Sequence, residues 1–171
     1  MIDLIKKIDS SLEYINILGP SSELVYKIKK DGLIYVLKFS RAWAKEIINE
    51  NEPEILELAK DTKGITHLVR RYKDFKNYKN ILLKEYYEGF RVKKIKDRKI
   101  QDKLKNTVNN LHFLGIARLD LEDYNIVLSL DKKDVCIVDV GHGILKRQVS
   151  LSKFEKLKRM DFRDLEENIF C

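Results

Sequence analysis

The sequence predicts an α+β fold in two unequal parts, an antiparallel sheet toward the N-terminus and helices with one hairpin toward the C-terminus. Three observations predict it. Short apolar runs of strand length fall near 16–19, 24–29 and 34–39 and again at His67-Leu68-Val69 and Ile81-Leu82-Leu83. Apolar residues then recur at helical spacing in Leu104, Val108, Leu111 and Leu114. Beyond that helix, Ile126-Val127-Leu128 and Val135-Cys136-Ile137-Val138 flank the polar turn Ser129 to Asp134, the pattern of a hairpin.

Each element has a local reason. Ile2, Ile5, Ile8, Leu12 and Ile15 lie close to one helical stripe, so Met1 to Ile15 reads as a helix. Three strands follow, then one or two helices to about residue 61. Pro53 removes a backbone donor and is comfortable only in a first helical turn, so a helix is expected to begin near Glu52, with Ala42 to Ile48 as a separate segment. The two later strands complete a mostly antiparallel sheet. The long helix runs from about Ile100 to Leu114, with Asp102, Lys105, Asn109 and Asn110 on its polar face. A last helix is expected from about Ser152, a suitable N-cap, toward Ile169.

Composition narrows the class. A chain of 171 residues holds one domain with a sizeable core, or two small lobes sharing a cleft. With 36% charged and 44% hydrophobic residues, the composition argues against disorder. No apolar run approaches the ~20 residues that span a bilayer, and Met1 to Lys7 does not resemble a secretory signal. Cys136 and Cys171 make no disulfide framework, and with His67, His112 and His142 scattered no zinc spacing emerges, so a reducing cytoplasm is the expected compartment. The net charge of +7 is dispersed, with denser runs at 91–99 and 153–159. Such a field attracts ATP and acidic partners, and supports only weak nucleic-acid binding without sequence preference.

The chemistry concentrates between Leu114 and Gly141. Asp120 lies in a polar segment between the long helix and the hairpin; Asn125 stands at the mouth of the first hairpin strand and Asp139 ends the second. A hairpin brings its outer ends together, so Asn125 and Asp139 are expected to be neighbours. Two oxygen ligands there suit Mg²⁺, a hard cation that takes one or two carboxylates plus substrate phosphates.

This stretch resembles the catalytic core of the protein-kinase superfamily, whose pattern is H-R-D-L-x-x-x-N followed by D-F-G. Arg118-Leu119-Asp120-Leu121 stands at the first motif, Asn125 at its Asn, and Asp139-Val140-Gly141 at the second. The resemblance continues upstream in family order. Leu33 to Phe39 is similar to the strand V-A-I-K, with Lys38 as its lysine. The segment around Gly19, Ser21 and Ser22 occupies the place of the glycine-rich loop, retaining one glycine and two hydroxyls for phosphate oxygens. Glu52 matches the helix glutamate that pairs with the lysine, with Glu46, Glu54 and Glu57 as competitors. Ile81 to Gly89 looks like the strand and hinge between two lobes, where backbone groups around Glu85 to Tyr87 hold adenine.

The resemblance implies a protein-kinase-like two-lobed fold in a single domain over 1–171. Its antiparallel N-lobe covers about 1–84, the hinge about 85–89 and a truncated helical C-lobe about 90–171. It implies transfer of the γ-phosphate of ATP, with Mg²⁺, to a hydroxyl, foremost of a protein Ser/Thr and including autophosphorylation. Lys38 then holds phosphates, Asp120 accepts the proton, and Asn125 and Asp139 hold the metal. Only residues 140–171 follow Asp139, too few for a long activation segment, so a peptide-docking platform is expected to be absent or supplied by another chain. This compactness is similar to RIO-type, tRNA-modification-complex and lipopolysaccharide-core kinases. Asp161 and Asp164 both qualify as the acid that braces the catalytic loop in such folds. The chain departs from the pattern in lacking the His and Arg of the first motif, in Val140, and in Glu122 where a lysine is common. These departures keep open a pseudokinase, either a nucleotide-binding or a purely scaffolding partner module; the unassigned acceptor keeps open a sugar or small-molecule kinase.

Overall fold

The computed structural model describes residues 2–18, 24–41, 51–73, 75 and 77–170. A short helix α1 (Ile2–Ile8) precedes five strands: β1 (Glu13–Ile17), β2 (Leu24–Lys30), β3 (Leu33–Arg41), β4 (Leu68–Tyr72) and β5 (Tyr78–Glu85). They form one antiparallel sheet in the order β1-β2-β3-β5-β4, with α2 (Glu52–Leu58) inserted between β3 and β4. The β2–β3 hairpin closes on Asp31 and Gly32, both at positive φ (50° and 81°), the backbone that a two-residue turn needs to match strand twist.

Alternation along β3 and β5 gives the sheet two unlike faces. Leu37 pairs with Leu83 and Phe39 with Ile81, and these four pack with Ile5, Leu12, Tyr26 and Ile28 beneath α1. The intervening residues Val36, Lys38, Leu82 and Lys84 belong to the opposite face. That face turns toward the second half of the chain, where Leu82 joins the core built from α2 and the C-terminal helices.

The second half starts with β6 (Gly89–Arg91) and the long helix α3 (Arg98–Phe113). Asp97 caps α3 by accepting from Lys99 N. Ile100, Leu104, Val108 and Leu111 along α3 are buried against Ile55, Ile126, Ile137 and Leu165. Next come β7 (Ile116–Ala117), a 3₁₀ turn over Asp123–Asn125, β8 (Ile126–Ser129), β9 (Val135–Ile137), β10 (Ile144–Leu145) and α4 (Leu151–Asp164). β6, β8 and β9 form a three-stranded sheet, and β7 pairs with β10. Gly64 O accepts from Ile137 N, and Thr66 N donates to Ile137 O, tying the chain before β4 to the hairpin.

Several boundaries differ from the sequence expectation. The first helix ends at Ile8, and the apolar stripe continues into β1, where Ile15 is 42% exposed. The cap of α4 is Ser150 rather than Ser152, accepting from Lys153 N, and α4 ends in a wider π turn over Leu165–Ile169. The β7–β10 pair was not expected, because two residues per strand carry no periodicity. Among the described residues no helix is long and apolar enough to cross a membrane.

Candidate active site

β3 delivers Lys38 to the cleft, where its side chain is 1% exposed. It donates to both oxygens of Asp139, at 2.9 and 2.7 Å. Glu52 Oε2 lies 2.9 Å from the same nitrogen. Glu52 is the first residue of α2, with Pro53 in the first turn as its fixed φ favours. Glu54 instead pairs with Arg147 at the surface, and Glu57 is exposed. Glu46 lies outside the described residues, as do Gly19, Ser21 and Ser22 of the expected phosphate loop.

A second lysine, missed in the sequence, reaches the same glutamate. Lys84 near the end of β5 donates to Glu52 Oε1 at 2.7 Å and to Val138 O at 3.1 Å. It reads as an ordinary strand-end lysine in Ile81-Leu82-Leu83-Lys84; only the register with β3, which places it on the cleft face, reveals it. Burial pushes the Asp139 carboxyl up, but the charges of Lys38 and Lys84 and the bonds from Lys38 and Gly141 N outweigh it. The carboxyl stays well below the ordinary range and ionised.

The hairpin does what its spacing implied. Ile126 pairs with Ile137, and Val138 N donates to Asn125 O at 2.9 Å, so the outer ends meet. Asn125 Nδ2 donates to Asp120 O at 2.9 Å and Asp120 Oδ2 at 3.1 Å. The amide is thereby oriented with its nitrogen spent on Asp120 and its oxygen left as the acceptor, which suits a hard cation. The Asn125 amide oxygen and the Asp139 carboxylate therefore fit a Mg²⁺ site in chemistry.

Asp120 adopts φ 52° and Arg118 φ 60°, the left-handed region that costs a side-chain-bearing residue roughly 1–3 kcal/mol. The conformation is held from below. Asp161 on α4 accepts from Arg118 N at 3.0 Å and Leu119 N at 2.7 Å, and its Oδ2 lies 2.8 Å from His112 Nε2. Of the two acids considered, Asp161 is thus the brace; Asp164 makes an ion pair with Arg163. Glu122 is directed to Asn168, whose Nδ2 donates to it at 3.1 Å. The extra carboxylate is engaged by the C-terminal turn.

His142, directly after Gly141, places Nδ1 2.7 Å from Asp120 Oδ2. The hydrogen bond lowers the Asp120 carboxyl against the opposing effect of burial, and raises the imidazole above its ordinary value. Nothing in the sequence marked His142, because its partner lies on the far side of the hairpin. Cys136 is buried, and burial pushes its thiol up to about 12, leaving it inert.

Beside these groups a cavity of about 210 Å³ opens between the two sheets. Val36 lines it from one side and Val127 from the other, with Lys84, Glu85 and Tyr87 among its remaining walls. An apolar residue from each sheet together with polar groups from 84–87 is a lining that suits a small heterocycle. Glu85 N donates to His67 O, and Glu85 O accepts from Thr66 Oγ1 at 2.9 Å. The Glu85 N–H is therefore spent within the fold, its carbonyl keeps one lone pair, and the chain leaves the sheet over 86–88. Among the described residues no group of three His, Cys, Asp or Glu side chains converges as a metal cage.

No protein-family model matches the chain, and no curated protein matches its sequence. Among solved structures it is similar to the kinase PK-1 of Cydia pomonella granulovirus, with a TM-score of 0.68 at 21% identity. The match covers 84% of this chain and 58% of that one, so the chain spans little more than half of that kinase. The fold is a protein-kinase-like two-lobed α+β fold.

Proposed function

We propose that this chain is an ATP-dependent phosphotransferase that moves the γ-phosphate to a hydroxyl, foremost of a protein Ser/Thr and including its own. The observation that carries the reading is the convergence of Lys38, Glu52 and Asp139 with Asp120 and Asn125 beside a cavity lined by the Glu85–Tyr87 segment. The proposed domain is the whole chain, with an N-lobe to about 84, a hinge over 85–89 and a reduced C-lobe from 90. The adenine would lie between Val36 and Val127 against the hinge backbone. Lys38 would leave Asp139 for the α/β-phosphates. Asn125 and Asp139 would hold Mg²⁺, which supplies neutralisation of charge on the β- and γ-oxygens. Asp120, ionised and fixed by Asn125, would orient the acceptor hydroxyl and take its proton. Most of the rate in such a site comes from positioning and electrostatics. A soluble, cytoplasmic protein with a protein partner is part of this reading.

One observation favours a second reading, a nucleotide-binding scaffold without transfer. His142 occupies the Asp120 oxygen that also bonds Asn125, leaving the proposed base engaged. Two measurements separate the readings. Melting temperature should rise with Mg-ATP as RT ln(1 + [L]/Kd) requires under both. Labelled phosphate should then appear on the chain itself or on an acceptor protein only under the first. A folded sample with no shift at millimolar Mg-ATP excludes both readings.

A further inference from the structure

Glu52 is fully buried, and its two oxygens are served unequally. Oε1 accepts a hydrogen bond from Lys84 at 2.7 Å. Oε2 has Lys38 at 2.9 Å as an ion-pair contact but receives no hydrogen bond. Lys38 instead donates to both oxygens of Asp139. The lysine on the neighbouring strand, rather than the one facing the phosphate site, therefore gives Glu52 its directional bond.

Lys84 makes a second anchor in the same place. Its ammonium donates to Val138 O, the carbonyl immediately before Asp139, at 3.1 Å. One buried cation thus joins β5, the start of α2 and the segment that carries Asp139. The start of α2 is tied independently to the chain after Gly141. Asn51 Nδ2 donates to Gly143 O at 3.0 Å and to Gln148 Oε1 at 2.9 Å, and Glu54 pairs with Arg147.

The charge count gives this arrangement its purpose. Among the described residues, Lys38 and Lys84 face Glu52 and Asp139 in this cluster. If Lys38 turned to phosphate with no other cation nearby, Glu52 would be left as an uncompensated buried charge, which is strongly unfavourable. Lys84 removes that obstacle.

We infer that Lys84 is a positioning residue that holds Glu52, and with it α2, independently of Lys38, so that Lys38 is free to move to a nucleotide. The inference rests on the phosphotransferase reading only for what Lys38 moves to; the anchoring of Glu52 stands without it.

The test uses the full chain and four variants: Lys84→Met, Lys84→Arg, Glu52→Gln, and Lys84→Met combined with Glu52→Gln. Ligand-free melting addresses the anchor. Lys84→Met should melt below wild type, and adding Glu52→Gln should recover much of the loss, since a neutral amide needs no cation. A double variant that melts no higher than Lys84→Met overturns the inference. Mg-ATP affinity addresses the release of Lys38. Lys84→Met should weaken it roughly tenfold, as for neighbouring charges coupled through one partner, while Lys84→Arg keeps most of it. Wild-type affinity in Lys84→Met likewise overturns the inference. A wild-type chain that binds no Mg-ATP defeats the phosphotransferase reading, and the ligand-free melting still decides the anchor.

Discussion

His142 Nδ1 and Asp120 Oδ2 stand 2.7 Å apart, the closest charged contact made by the proposed base. Each partner stabilises the charged form of the other: the imidazole is raised from 6.5 and the carboxyl lowered from 3.8. Both side chains are partly exposed, so solvent screens the pair and its worth to folding is modest.

The pair predicts a pH dependence with a definite sign. The stability His142 contributes is complete below its unfolded value near 6.5 and is lost as pH rises through its raised folded value. The contribution of Asp120 is complete above about 3.8 and is lost as pH falls through its lowered folded value. Phosphate transfer should rise with pH as His142 loses its charge and grips Asp120 less firmly. His142→Leu should abolish that rise and raise the rate on the acid side. Identical pH–rate profiles for wild type and variant would show that His142 does not restrain the base.

Asp161 predicts a stability effect with no direct contact to substrate. It is 1% exposed and accepts from two backbone amides of the strained loop while facing His112. Asp161→Ala leaves those amides buried without acceptors and frees Arg118 and Asp120 to relax from positive φ. The expected loss is about 3 kcal/mol or more, from hydrogen bonds to a charged acceptor and from orphaned donors. Urea unfolding measures it. A loss under about 1 kcal/mol would mean that water or local rearrangement replaces the brace.

These residues show how far the sequence could be read. Asn125 and Asp139 were legible because a hairpin fixes which residues meet, and the strand period is short enough to see in four residues. Glu52 stood out as the match to the helix glutamate of the resemblance, with Pro53 confining where its helix begins. Lys84 was not, since its meaning depends on pairing register between strands distant in sequence; the alternation with Ile81 and Leu83 is the signal that was there to use. His142 and His112 were equally silent, each defined by a carboxylate brought near only by folding. The helix expected over 1–15 ends at Ile8; a stripe of isoleucines serves a helix and the strand after it alike. Gly19, Ser21 and Ser22 lie outside the described residues.

Gly89 predicts a defect at the cavity. A Cβ built there would lie 2.0 Å from Leu128 O, a backbone atom of the paired strand that cannot rotate away. Gly89→Ala must therefore push β6 from β8, where Gly89 pairs with Ser129. Gly89 also lines the cavity, so the shift should reach the nucleotide pocket. Expected are about 1–3 kcal/mol of destabilisation, as for other overpacked sites, and weaker Mg-ATP binding in a thermal-shift titration. A variant as stable as wild type would mean that the β6–β8 pair can separate without cost.

The roles proposed for the three charged residues should separate in their variants. Asp139 bonds Lys38 through both oxygens, and it is the carboxylate proposed for the metal. Asp139→Asn removes a negative charge, so metal-dependent nucleotide affinity should fall together with transfer. Asp120 touches His142 and Asn125, with no bond to either lysine among the described residues. Asp120→Asn should therefore leave Mg-ATP affinity nearly intact while lowering turnover roughly 10²–10⁴-fold, the contribution of a positioned general base. Lys38→Met deprives Asp139 of its side-chain donor and leaves it only the bond from Gly141 N, yet Glu52 keeps Lys84. The fold should then persist while transfer collapses for want of a cation at the phosphates. Labelled-phosphate transfer and nucleotide affinity on the three variants give six values with distinct expected patterns. Full transfer by Asp120→Asn to a verified acceptor would make Asp120 structural. The proton would then have to go elsewhere, with Asp123, at the start of the adjoining 3₁₀ turn, the next carboxylate to substitute.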